Sequence, residues 1–118
     1  MLRLLSIKLN AAGYVVTRAR DGQEALAALA EEAPDVVITE LLLPDVNGIA
    51  LIAQIAARPS PPLILVLSSR DTDEAIAAAL TLGAADYITK PFSPQGLLER
   101  IRVNLIRAAM LAPVAGEG

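Results

Sequence analysis

The stretch that most narrows what this chain can fold into is Val36–Gly48, which reads V-V-I-T-E-L-L-L-P-D-V-N-G. A short apolar run ends on Thr39 and a single acid, Glu40, and the turn residues Pro44, Asp45, Asn47 and Gly48 follow at once. An apolar run of that length bounded by turn signals suits a strand buried on both faces, as in a parallel sheet covered by helices. In open α/β sheets ligands sit outside the carboxyl ends of the strands, so an acid at such an end is well placed for function. The motif alone equally allows Glu40 to end a strand and face water. Asp45 and Asn47 read as residues that shape the loop and the next helix start.

The rest of the chain supplies the layers that such a strand needs. A helix is expected from Leu2 to Ala12, stopped by Gly13, and Tyr14–Thr17 is β-branched and aromatic enough for a short strand. Asp21-Gly22 reads as a turn. Ala25, Leu26 and Leu29 give helical spacing over Glu24–Glu32, ahead of the focal strand Val36–Glu40. Ile49, Leu51, Ile52 and Ile55 mark a third helix that ends near Arg58-Pro59. The run Leu63–Leu67 is a strand that ends on Ser68-Ser69. Asp71 with Glu74 resembles a capping box for a helix over Thr72–Leu82, closed by Gly83. Tyr87–Thr89 is a short strand before Lys90-Pro91. Ser93-Pro94 starts a last helix with Leu97, Leu98, Ile101, Leu105 and Ile106 on its buried side. Strands alternating with helices on short loops imply parallel βαβ units and a three-layer, doubly wound α/β sheet. Residues 1–112 read as one domain and residues 113–118 as a flexible tail.

Composition excludes several chemistries. With no cysteine and no histidine among 118 residues, disulfides, thiol chemistry, common zinc sites and a serine–histidine triad are ruled out. No glycine-rich phosphate loop is present either, and nothing in the sequence reads as an enzyme. A net charge of −3 tells against a nucleic-acid-binding surface. Only 19% of residues are charged against 54% apolar, so self-association is expected of the surface. No apolar run reaches membrane-spanning length and Met1-Leu2-Arg3 opens no convincing signal peptide, so a cytoplasmic location is the default.

Five segments taken together, in order and at matching spacing, resemble one family. They are A-A-G-Y-V-V, A-R-D-G-Q-E-A-L, L-x-L-P-D-V-N-G, V-L-S-S-R-D and G-A-A-D-Y-I-T-K-P-F-S. The family is the receiver domain of two-component response regulators, which has a flavodoxin-like fold. The resemblance runs from Leu2 to about Arg107. It implies a role in phosphorelay signal transduction, with a sensor kinase or effector proteins as partners. It also implies a dimer face on the last helix and its neighbours, where Asp73, Glu74, Asp86, Arg100 and Arg107 would pair across a two-fold axis.

Carried over residue by residue, the resemblance puts the phosphoacceptor position on Glu40, where the family has aspartate. The switch hydroxyl falls on Ser68, the switch aromatic on Tyr87 and the phosphate-contacting lysine on Lys90, whose bond to Pro91 is usually cis in the family. The bland readings are a turn-capping Ser68 and a sheet-edge Tyr87. The family's first strand, with the acidic pair that holds magnesium, has no counterpart, because Met1 already lies at the start of the first helix. The expectation is therefore a receiver fold without its first strand, with four strands and five helices. With the slot empty, Tyr14–Thr17 is expected to close up and pair directly with Val36–Thr39.

These departures matter chemically. Phosphoryl transfer to a carboxylate brings two anions together, and magnesium must neutralise the developing charge through oxygen ligands in near-octahedral geometry. Glu40 alone is a poor cage, so no cofactor is expected. A glutamate also carries its carboxylate about 1.5 Å further out, which spoils in-line geometry. The sequence thus suggests a pseudo-receiver that acts by protein contacts without phosphorylation. The alternative is a shortened form of a phosphoacceptor receiver whose first strand and acids are missing. Glu40 with Lys90 is either a built-in anion that sets one signalling state or a relic ion pair worth about 0–1 kcal/mol. A carboxylate offers one charge where a phosphoryl group offers nearly two, which tells against full mimicry.

Overall fold

A computed structural model describes residues 2–17, 19, 21–41 and 47–111. Among them the elements run α1 (Leu2–Ala11), α2 (Gly22–Glu31), β1 (Val36–Thr39), α3 (Gly48–Ala56), β2 (Leu63–Ser68), α4 (Asp73–Leu82), β3 (Asp86–Thr89) and α5 (Pro94–Leu111). The sheet is parallel in the order β1-β2-β3, with Thr39 aligned with Val66 and Ser68 with Thr89.

Alternation along the strands makes the three layers. Ile64 and Val66 of β2, with Val37 and Tyr87 on either side, face a core built with Leu29, Leu51, Ile52, Ile55 and Ala79 of α2, α3 and α4. Leu65 and Leu67, with Ile38 and Ile88, face the opposite core, which holds Leu9, Leu97 and Ile101 of α1 and α5. Every buried apolar position of β2 thus serves one core or the other, as expected of a central parallel strand.

Helix ends carry local signals. Asp21 does more than turn the chain, because its carboxylate accepts the Glu24 N–H at 2.8 Å and caps α2. Asn47 caps α3 through the Ile49 N–H at 2.8 Å. Asp45 lies outside the described residues. The cap of α4 is Thr72, which accepts the Ala75 N–H, rather than Asp71 with Glu74. A threonine one residue nearer the helix reaches the same orphan donors without the acid pair. On α5, Leu98 and Leu105 are partly buried, but Ile106 is exposed.

The four-strand expectation fails at Tyr14–Thr17. That segment is extended, yet it joins no ladder, and the sheet has three strands among the described residues. It is held by other means. Tyr14 donates its N–H to Leu9 O at 3.1 Å as part of the α1 stop. Thr17 Oγ1 donates to Glu32 Oε2 at 2.9 Å, and Tyr14 and Val16 pack on the core shared by α1 and α5. Between them Val15 is 97% exposed. Side-chain packing and a helix stop hold this segment in place of backbone pairing with Val36–Thr39, so the expected direct closure is not found.

Candidate functional site

Register brings three chain positions to one end of the sheet. Glu40 follows the last residue of β1, Ser68 is the last residue of β2, and Lys90 follows the last residue of β3. Lys90 N–H donates to Ser68 O at 2.9 Å, extending the β2–β3 ladder one residue into the loop. The carboxyl ends of three adjacent parallel strands thus meet, where a doubly wound sheet opens its crevice. The sequence-predicted Glu40, Ser68 and Lys90 come together there. The Lys90–Pro91 peptide bond is cis.

The geometry is loose at the acid. Ser68 Oγ donates to Glu40 Oε1 at 3.5 Å, the outer limit of a hydrogen bond. Lys90 Nζ stands 3.4 Å from Glu40 Oε2, yet that buried oxygen accepts no hydrogen bond. The Lys90 and Glu40 side chains keep 42% and 24% of their exposure, so the pair is only partly desolvated. Ser68 itself is fully buried.

Around Ser68 the geometry tightens. Its Oγ accepts the Arg70 N–H at 3.2 Å. Tyr87, buried on β3, donates its hydroxyl to Arg70 O at 2.6 Å. Both ends of the Arg70 residue are therefore gripped, one by the Ser68 hydroxyl and the other by the Tyr87 hydroxyl. Tyr87 sits on the edge strand β3 yet is buried, and the peptide groups at Arg70 link it to the serine. Sequence reading missed this link because it uses only the backbone of Arg70.

Gly48 is a second omission. Its N–H donates to Leu41 O at 2.9 Å, closing the loop that follows Glu40. A Cβ here would lie 2.6 Å from the carbonyl oxygens of Glu40 and Leu41 and against Leu41 Cα, so only glycine fits. The Asn-Gly pair was the available signal.

Beside the crevice lies a charged network that does not touch Glu40. Arg100 donates two hydrogen bonds to Asp86, from Nε at 2.7 Å and from the guanidinium terminus at 2.6 Å. Asn104, 4% exposed, donates to Asp86 Oδ2 at 2.9 Å and to Arg100 O at 2.8 Å, and Asp86 Oδ1 accepts the Tyr87 N–H. Burial would raise the Asp86 pKa, but the bonds from Arg100, Asn104 and Tyr87 outweigh it and hold the carboxyl below its ordinary value. Hydrogen bonding to Asp86 raises the Arg100 pKa in turn, against a smaller opposing effect of burial. Asp86 and Arg100, expected to pair between two copies, are thus satisfied within one chain. Asn104, one turn after Arg100, escaped sequence reading.

The described donors do not suit magnesium. One carboxylate, already facing an ammonium group, supplies neither the oxygen count nor the charge the ion needs, and no cluster of three acids forms among the described residues.

The response regulator receiver domain model matches residues 1–102. The chain belongs to the response regulator receiver family. It is 43% identical over 107 residues to the transcriptional regulatory protein KdpE of Mycobacterium tuberculosis, covering 91% of this chain and 47% of that protein. Against the alkaline phosphatase synthesis transcriptional regulatory protein PhoP of Bacillus subtilis it is 36% identical over 113 residues, covering 96% and 47%. The CheY-like receiver domain protein of Methanospirillum hungatei superposes with a TM-score of 0.86 at 28% identity, covering 94% of this chain and 89% of that one. The fold is thus the flavodoxin-like receiver fold, and the domain is a signalling module of two-component systems. This receiver spans about half the length of the curated relatives it matches. None of its described helices is long and apolar enough to cross a membrane.

Proposed function

We propose that this receiver is a phosphorylation-independent pseudo-receiver, a cytoplasmic module that signals through contacts with a sensor kinase or effector proteins. One observation carries the reading. A glutamate occupies the strand end where the family's aspartate would accept a phosphoryl group, already between Ser68 Oγ and Lys90 Nζ. Ser68 and Lys90 are the switch hydroxyl and phosphate-contacting lysine of the family pattern, and Tyr87 is its switch aromatic. With Glu40 engaging the first two and the Arg70 peptide groups joining Ser68 to Tyr87, the switch has one setting that needs no phosphodonor. The longer acid, and a donor set that does not suit magnesium among the described residues, support the reading.

Self-association belongs to the same proposal. Leu80 and Leu82 of α4 and Val103 and Ile106 of α5 are exposed apolar side chains. Because Asp86 and Arg100 already pair internally, a two-fold contact of α4, β3 and α5 would rest on these apolar groups, and added salt would not weaken it. The domain itself offers no nucleic-acid surface at a net charge of −3.

The test is intact-mass analysis after incubation with magnesium and acetyl phosphate. No phosphoryl adduct is expected, and Glu40→Asp alone restores none. A stable adduct that disappears in Glu40→Gln would overturn the reading.

A further inference from the structure

Two structural demands meet at the start of α3, and the dipeptide that satisfies both is chemically reactive. Position 48 must be glycine, because a Cβ there would strike Leu41 Cα and the carbonyl oxygens of Glu40 and Leu41. Position 47 must cap α3, and its side chain accepts the Ile49 N–H at 2.8 Å. That duty falls to asparagine, aspartate, serine or threonine. The chain has Asn47-Gly48, and of its three asparagines, Asn10, Asn47 and Asn104, only Asn47 precedes a glycine. Glycine has no side chain to shield its peptide nitrogen, so that nitrogen can reach the amide carbon of the asparagine before it. Asn47 is also exposed to the water such a reaction consumes, whereas Asn104 is buried.

We propose that Asn47 is a self-modification site, and that the bond from Gly48 N–H to Leu41 O sets its rate. The Gly48 nitrogen bonds to Asn47 Cγ, the Cγ–Nδ2 bond breaks, and the proton shed by Gly48 departs with the amide as ammonia. Water then opens the resulting cyclic imide. Cleavage between Cγ and the nitrogen gives aspartate, and cleavage between the main-chain carbonyl carbon and the nitrogen gives isoaspartate. The fold holds this reaction back. Gly48 N–H is engaged with Leu41 O at 2.9 Å, and Asn47 O accepts the Leu51 N–H at 3.0 Å. The extended backbone of Asn47, φ −71° and ψ 129°, aims the Gly48 nitrogen at Leu41 and away from Cγ. This latch must open before the ring can close. The two products differ in effect. Aspartate keeps the cap and places a negative charge at a helix N-terminus, where it is favoured. Isoaspartate threads Cβ into the main chain, so Gly48 no longer both begins α3 and bonds Leu41 O, and the pin beside Glu40 is lost. The inference is independent of whether Glu40 accepts a phosphoryl group.

Peptide mapping by mass spectrometry tests it on the full chain, kept folded in mildly alkaline buffer and, in parallel, unfolded in urea. Asn47 is expected to gain the mass of exchanging NH2 for OH in both, roughly a hundredfold more slowly in the folded chain, as reaction from a locally opened state requires. Asn10 and Asn104 should stay intact in the folded chain over the same period. The variant Leu41→Ala loosens the buried anchor of the latch and should speed the folded reaction several-fold. Should that variant unfold, hydrogen exchange at the Gly48 amide of the parent carries the same information, because its protection must match the slowing of the reaction to within several-fold. The separated isoaspartate form should exchange faster at Ile49 and shift the Glu40 and Leu41 amide resonances, while the aspartate form keeps Ile49 protected. The proposal is overturned if Asn47 gains no mass in the folded chain, or reacts there as fast as in urea. It is equally overturned if Gly48 protection and the slowing disagree, or if the isoaspartate form keeps Ile49 protected and Leu41 unshifted.

Discussion

Two acid–base clusters lie on this sheet, one at Asp86 on β3 and one at Glu40 just after β1, and they are built to different standards. At Asp86 every partner is near: Arg100 at 2.6 and 2.7 Å, Asn104 at 2.9 Å and the Tyr87 N–H at 2.8 Å. At Glu40 the contacts are 3.4 and 3.5 Å, and one carboxylate oxygen accepts no hydrogen bond. The first is a clamp that ties β3 to α5. The second is a carboxylate held only loosely by its donors. Tight bonding marks the acid that joins strand to helix, and loose bonding marks the acid at the carboxyl end of the sheet.

The contrast breaks first at Gly48. A Cβ there meets backbone atoms of Glu40 and Leu41, which cannot swing aside. Gly48→Ala should cost about 3 kcal/mol in urea unfolding and should also shift the backbone amide resonance of Glu40. A variant as stable as the parent would mean that the loop after β1 is not pinned.

Next comes the clamp. Asp86→Ala leaves buried Asn104 and the Tyr87 N–H without their acceptor. A loss of about 2 kcal/mol is expected, moderated because Arg100 is half exposed. The sign of the pH effect follows from the lowered pKa of Asp86. Its contribution is complete above the ordinary carboxylate range and is lost as pH falls through the folded value. Asp86→Asn should therefore flatten the acid side of the stability–pH curve, and an unchanged slope there would deny the clamp its role.

Smaller effects separate the switch from the clamp. Tyr87→Phe removes one buried donor from Arg70 O and should cost about 1 kcal/mol. Glu40→Gln and Lys90→Ala should each change stability by about 0–1 kcal/mol, since the pair is loose and half exposed. A Glu40 variant as damaging as Asp86→Ala would erase the distinction drawn between the two clusters.

How far the sequence reads ahead depends on which part of a residue does the work. Glu40 was legible as an acid at the end of an apolar run, whereas Ser68 and Lys90 were singled out by the family resemblance; that all three meet follows from a parallel sheet bringing strand ends together. Asp86 with Arg100 was visible as charge, but its direction was not, because an exposed-looking pair says nothing of whether it closes within a chain. Arg70 was invisible, since its peptide groups and not its side chain meet Ser68 and Tyr87. Tyr14–Thr17 misled for a related reason. Its β-branched composition describes a pleated, half-buried surface, which Tyr14 and Val16 do form against the α1 and α5 core, and composition carries no information about pairing.

The most direct test of the central claim is the tyrosine hydroxyl and serine environment read by NMR, with and without magnesium and beryllofluoride, in the parent chain and in Glu40→Ala. The parent spectrum is expected not to respond to beryllofluoride, while Glu40→Ala alone is expected to shift the resonances of Ser68, Arg70 and Tyr87, as a built-in carboxylate that sets their arrangement requires. A parent chain that shifts on adding magnesium and beryllofluoride, with Glu40→Ala leaving Ser68 and Tyr87 unmoved, would contradict it.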